Sequence, residues 1–291
     1  EGFAFTNGLT TGGATGPTTH VSDLASLTAA LSSTSPKTII LTGLLDLTAI
    51  RQLHINSHTT LLGSPTIPSG FTGGGLAITK NTTNVIVRNL HFTKPVGIDS
   101  IQIQQSSHVW IDHNTFSSDR DHGKDFYDGL LDITHAGDYI TVSWNAFSDH
   151  FKVSLVGASD DDGDEDTGRL HVTYHHNHFH SVGSRTPSLR FGTGHVYNNL
   201  FEDMSSGVHS RMGARVLVEN NIFANVTTPV FTTGSKVDGE VLERGNEFGE
   251  GKVEITKVAE GMTVPYGYVM DEVVDVRRRV LEGVGAGKLQ F

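Results

Sequence analysis

Cysteine is absent from the 291 residues, which excludes thiolate metal sites, thiol nucleophiles and disulfide scaffolds. Charged residues are scarce at 18% and unbalanced, 21 Lys and Arg against 32 Asp and Glu, for a formal charge of −11. An acidic chain without a Lys/Arg-rich run argues against a general nucleic-acid binder. No stretch approaches 18 unbroken apolar residues, so a membrane span is not expected. What the chain does have is glycine, 33 residues. Much glycine beside little charge suits a turn-rich β protein. Two sequons, at Asn81 and Asn225, lean towards a secreted, extracellular glycoprotein.

A repeat sets the architecture. The pattern Asn-x-Phe recurs at Asn114/Phe116, Asn145/Phe147, Asn177/Phe179, Asn199/Phe201, Asn221/Phe223 and Asn246/Phe248, with a looser copy in NVIVRNLHF. Each copy closes a short run of alternating apolar residues, such as HVWIDHN and YITVSWN. Short strands at a period near 22 residues fit a solenoid, whose coils bury their apolar faces only by stacking. A β-sandwich has no reason to repeat one turn residue and one aromatic six times. The expected fold is therefore all-β, a single-domain parallel β-helix over residues 1–291, with equivalent asparagines in ladders. An N-terminal cap of about residues 1–35 should contain a helix, since Ser22-Asp23 precedes Leu24, Leu27 and Leu31 at helical spacing. Asp271 to Leu281 reads as an amphipathic turn or two within a tail of about 262–291. Pro265 and the glycines near it read as a surface segment.

The asparagines are 31, 32, 22, 22 and 25 residues apart, so two intervals carry insertions that must leave the coil as loops. Loops on a rigid scaffold are where sites are built. The first contains SSDRDHGKDFYDGLLDI and the second DHFKVSLVGASDDDGDEDTGR, while SRTPSLRFG follows in an uninterrupted interval. With the acidic run 159–168 looped out, register brings Asp128 and Asp132, then Lys152, then Arg185 and Arg190, into one sector of three successive coils. At roughly 4.8 Å per coil the group spans about 10 Å. Asp112 lies on the adjoining strand of the first of these coils. Asp112, Asp128 and Asp132 offer only hard oxygen ligands, which suit Ca²⁺; ion pairs with the three cations would use them equally well. The acidic run itself reads as a solvated loop. His176, His178 and His180 run through the repeating turn and read as structural rather than as a zinc triad, and His113 reads as a structural hydrogen-bonder.

At these residues the chain resembles the pectate lyases of the first polysaccharide lyase family, especially the secreted fungal members. VWIDH (109–113) is similar to that family's signature around its first calcium aspartate, and YDGLLDI (127–133) to the segment with two further calcium acids. HFKVSLVG fits the segment with the substrate-binding lysine, and SRTPSLRFG fits R-x-P-x-x-R. The resemblance, from about residue 1 to 285, implies a right-handed parallel β-helix. It implies Asp112, Asp128 and Asp132 as ligands of Ca²⁺, Lys152 and Arg190 as substrate-binding residues, and Arg185 as catalytic base. The implied chemistry is β-elimination on α-1,4-polygalacturonate, performed by a monomer with no nucleic-acid or membrane partner. Arginine holds its proton tightly, and the base assignment is carried from the family rather than from the physics. The rivals are a calcium-free pectin lyase acting on methyl-esterified substrate, a glycoside hydrolase needing an acid/base carboxylate pair, and a noncatalytic calcium-dependent pectate-binding β-helix.

Overall fold

The computed structural model describes residues 1–290. Ten parallel strands, from Thr18–Val21 to Glu240–Arg244, stack in chain order as one sheet. A second sheet is made of two runs of parallel strands. One run includes Thr115–Ser117, Ala146–Lys152 and His178–Ser184; the other includes Ile101–Gln104, Leu131–Thr134, Leu155–Val156 and Ser188–Arg190. Leu200–Arg211 joins them, pairing with His178–His180 at its start and with Ser188–Arg190 at its end. Each coil thus contributes one strand to each of three faces. This is the parallel β-helix the repeat called for.

Strand alternation supplies the core. Val109, Ile140 and Val172 stack in register, as do Ile111, Val142, Tyr174, Val196 and Val218, all fully buried. At the following turn the residue before each ladder asparagine is left-handed, as at His113, Trp144, His176, Asn198 and Asn220. That twist turns the asparagine inward. The Oδ1 of Asn145 accepts from the backbone N–H of Asn114 at 2.9 Å and from its amide at 3.0 Å, and the same pair of bonds runs through Asn177, Asn199, Asn221 and Asn246. Buried polar groups need partners, and here each coil provides them for the next. Two residues on, Phe92, Phe116, Phe147, Phe179, Phe201 and Phe223 stack at 4.5–4.9 Å between centroids.

The ends follow expectation with one difference. The cap helix is Leu24–Ser32, with the Asp23 carboxylate accepting from the Ser26 N–H at 2.8 Å. The C-terminal helix is longer than expected, Val273–Gly283, and buries Val276 and Val280 against Leu200 and Ile222. The segment around Pro265 lies at the surface as expected, with Gly261, Pro265 and Gly267 exposed, and its two tyrosines dock it. The Tyr266 hydroxyl bonds Thr173 at 2.7 Å and His195 at 2.8 Å, and Tyr268 donates to Glu219 at 2.6 Å, which fastens it to the outside of the ten-stranded sheet.

Candidate active site

The site lies at the corner where one run of the second sheet turns into the other. Backbone bonds set its levels. Ser100 N–H donates to Gly129 O at 3.1 Å, Leu130 N–H to Val153 O at 2.9 Å, and Ser154 N–H to Arg185 O at 2.7 Å. Asp99, Gly129, Lys152–Val153 and Arg185 are therefore four consecutive rungs, about 4.8 Å apart. Lys152 stands in register with Ser184, one residue before Arg185. Of the expected group, Asp128, Asp132, Lys152 and Arg185 come together here, while Arg190 lies further along its coil, at the end of Ser188–Arg190, bonded to Asp160 and Gly157 O.

Two of the acids are buried without a countercharge in contact. Asp99 accepts one hydrogen bond, from Gly129 N–H at 2.8 Å, and Asp132 accepts one, from Leu155 N–H at 2.9 Å. A Cβ at position 129 would lie 2.4 Å from an Asp132 oxygen and 2.8 Å from an Asp99 oxygen, so only glycine lets both carboxylates close over this turn. Burial, then the Asp128 charge, pushes the Asp99 carboxyl up to about 6. Burial and the neighbouring Asp99 charge push Asp132 well above the usual carboxylate range. Asp128 is half exposed and leans to Lys152 Nζ at 3.5 Å, which also meets Asp125 at 3.1 Å. Among the described residues no three His, Asp or Glu side chains close around one point; the third carboxylate is turned towards the lysine.

Asp112 is not part of this group. It sits on the outer side of the ten-stranded sheet, where inward Val109 and Ile111 leave it facing away from the coil interior. Its oxygens are fully engaged by Arg88 Nε at 2.7 Å, His113 Nδ1 at 2.7 Å and the Ser143 hydroxyl at 2.5 Å. A carboxylate so held is structural, and Asp99 stands in the corner where Asp112 had been expected.

Sequence reasoning also missed His150. Its Nε2 donates to the backbone oxygen of Asp128 and its Nδ1 accepts from Ser118, both at 2.6 Å. Burial pushes it down to about 4, so it is a neutral strut under Asp128 near neutral pH. The acidic run is not a free solvated loop. Asp160 receives Arg190 Nε at 2.6 Å and Arg211 Nη2 at 3.0 Å, Asp161 pairs with Lys236, and Asp166 is buried and accepts from Ala136 N–H at 2.7 Å. The histidine series is structural as expected: His176, His178 and His180 face three different acids, Asp271, Glu202 and Asp203. Arg185 makes no side-chain hydrogen bond among the described residues, yet its charge acts on Asp99 and Asp132.

Comparison with known proteins decides the family. The pectate lyase family matches residues 1–288. The chain belongs to that family. Pectate lyase A of Emericella nidulans is 44% identical over 288 residues, covering 98% of this chain and 85% of that protein. Pectate lyase A of Aspergillus niger is 43% identical over the same length, covering 98% and 86%. Among solved structures, a pectate lyase from Bacillus sp. N165 in complex with trigalacturonate superposes with a TM-score of 0.90 at 30% identity, covering 100% of this chain and 99% of that one. The fold, the coverage and the family agree that this pectate lyase family member is a polysaccharide-cleaving lyase. No helix among the described residues is long and apolar enough to cross a membrane.

Proposed function

We propose that the chain cleaves α-1,4-polygalacturonate by β-elimination and depends on calcium to do so. The observation that carries this is the corner itself: two buried carboxylates with one protein hydrogen bond each, the nearer of them, Asp132, one rung from Lys152 and two from an unpaired arginine. Such acids lack the countercharge that would offset their burial. Their donor set is all carboxylate oxygen, which fits Ca²⁺. The residues to hold it are Asp99, Asp132 and, once released from Lys152, Asp128; His150 fixes the backbone of the last. When bound, calcium supplies positive charge that offsets the substrate carboxylate and makes the adjacent C5 proton easier to remove.

The chain's own residues have separate tasks. Lys152 and Arg190 bind uronate oxygens and orient the ring. Arg185 stands over the corner and takes the C5 proton. The electron pair of that bond forms the C4–C5 double bond, and the C4–O bond breaks with its pair leaving on the departing sugar, whose oxygen takes up a proton from water. The products are one chain with a 4,5-unsaturated end and one with a new hydroxyl. We place this chemistry in one secreted, monomeric domain, as the sequons and the single stack of coils suggest.

One assay tests the reading. Polygalacturonate should yield the absorbance of unsaturated ends, and chelation should abolish it. Reducing ends without that chromophore would mean a hydrolase, and full activity in excess chelator would remove calcium from the scheme.

A further inference from the structure

Arg190 and Arg211 are direct neighbours across the Ser188–Arg190 and His209–Arg211 pairing. Like charges opposed in a ladder repel, and something must hold them. The holder is Asp160, from the acidic insertion. Its Oδ1 takes Arg190 Nε at 2.6 Å and Arg211 Nη2 at 3.0 Å. Arg190 Nη1 is fixed on Gly157 O at 2.8 Å, which leaves the Nη2 corner of its guanidinium as the end free to meet an anion. Arg211 Nε is buried and unpartnered, so among the described residues Asp160 supplies the one side-chain acceptor of Arg211. The three charges sum to one positive, the complement of one carboxylate.

We propose that Asp160 is a positioning residue: its shared carboxylate holds the Arg190 guanidinium in the orientation that receives a substrate uronate. The proposal rests on reading Arg190 as a uronate-binding group. Asp160 stays ionised for the task, since the Arg190 bond holds its carboxyl below the usual range. Next to it Asp161 carries the same charge but meets Lys236 instead, which makes it the natural control.

Sign separates positioning from plain electrostatics. Removing a negative charge beside an anionic substrate should tighten binding, whereas loss of a positioning contact should weaken it. Asp160→Asn is expected to raise KM for polygalacturonate about tenfold while kcat falls less than about threefold. Asp160→Glu should recover part of the loss, and Asp161→Asn should leave KM within about twofold. In an Arg190→Ala background, Asp160→Asn should add no further loss, read both as KM and as calorimetric binding of trigalacturonate with calcium saturating. A KM unchanged or lowered in Asp160→Asn, or its full effect persisting without Arg190, would overturn the proposal. So would a drop in melting temperature with KM unmoved. An unaltered parent chain that made no unsaturated product would instead overturn the proposed activity, and the trigalacturonate cycle would still read the Asp160–Arg190 coupling.

Discussion

Asp112 and Asp132 are both buried aspartates, and they stand in opposite surroundings. On the outer side of the ten-stranded sheet, Asp112 has a guanidinium, an imidazole and a hydroxyl on its two oxygens. At the corner, Asp132 has one backbone N–H and acidic neighbours. Burial alone therefore says little about what a carboxylate does; the count of its partners says more. A satisfied carboxylate ties two strands and a turn together. An unsatisfied one destabilises its own surroundings unless another charge joins it.

The largest effect that sharpens this contrast is expected at Arg185, the cation two rungs from Asp132. Arg185→Lys should lower kcat by about a thousandfold, because a shorter ammonium cannot take the guanidinium's place over C5. Folding should survive. The backbone carbonyl of Arg185 accepts from Ser154 whatever the side chain, and the asparagine ladder is untouched. Steady-state kinetics with calcium saturating, beside circular dichroism, decide it; a variant retaining most of its turnover means that another group is the base.

The next pair of variants breaks the comparison directly. Asp112→Asn removes the charge from a satisfied network and should cost about 2–4 kcal/mol of stability, since Arg88 is left with its pair broken. Activity per folded molecule should change little. Asp132→Asn removes an acid whose ionisation burial and Asp99 oppose, so the metal-free chain should be at least as stable as the parent, while activity falls at least about a hundredfold. Urea unfolding in chelator and assays on folded fractions read both. If Asp112→Asn abolishes turnover without loss of stability, the two aspartates have been assigned to the wrong roles.

How far the sequence could have told these two apart depends on range. The ladder was legible because Asn-x-Phe is a local pattern repeated six times, and the stacking of Lys152 and Arg185 followed from its register. The position of Asp112 was in principle legible too. Strict alternation with Val109 and Ile111 sends it outward, and the family signature around it drew attention away from that periodicity. Asp99 carried a faint signal: pairing Ile101 with Leu131 puts Asp99 beside Gly129, but no insertion marks its coil. The partners of Asp160 and Asp161 were out of reach, because Arg211 and Lys236 lie 51 and 75 residues further on and only the coiling brings them back. The docking of Tyr266 and Tyr268 was hidden for the same reason, since Thr173, His195 and Glu219 belong to three different coils.

The smallest expected effect tests the unsatisfied acids without any mutation. The carboxyls of Asp99 and Asp132 are raised above their unfolded value in the folded chain. Groups of that kind contribute stability that is complete below about pH 4, the unfolded value, and that is lost as pH rises through the folded ones, about 6 for Asp99, with Asp132 raised well above its usual range by burial and by Asp99. The metal-free chain is thus burdened at pH 8 by an ionised Asp99 buried beside Asp132, and spared at pH 5, where a proton occupies Asp99. Calcium competes with those protons, so its stabilisation should follow the opposite course. At about a hundred times its dissociation constant a ligand adds about 2.7 kcal/mol, which for a chain of this size is a shift of about 5 °C. That shift is expected at pH 8 and should shrink to about 1 °C at pH 5. Buried His175, whose burial pushes it well below its usual value, works in the other direction. It withdraws stability as pH falls below about 6.5 whether or not calcium is present, so it cancels when melts with and without the metal are subtracted at each pH. A calcium shift equal at pH 5 and pH 8 would mean that the ion is not held by the buried pair.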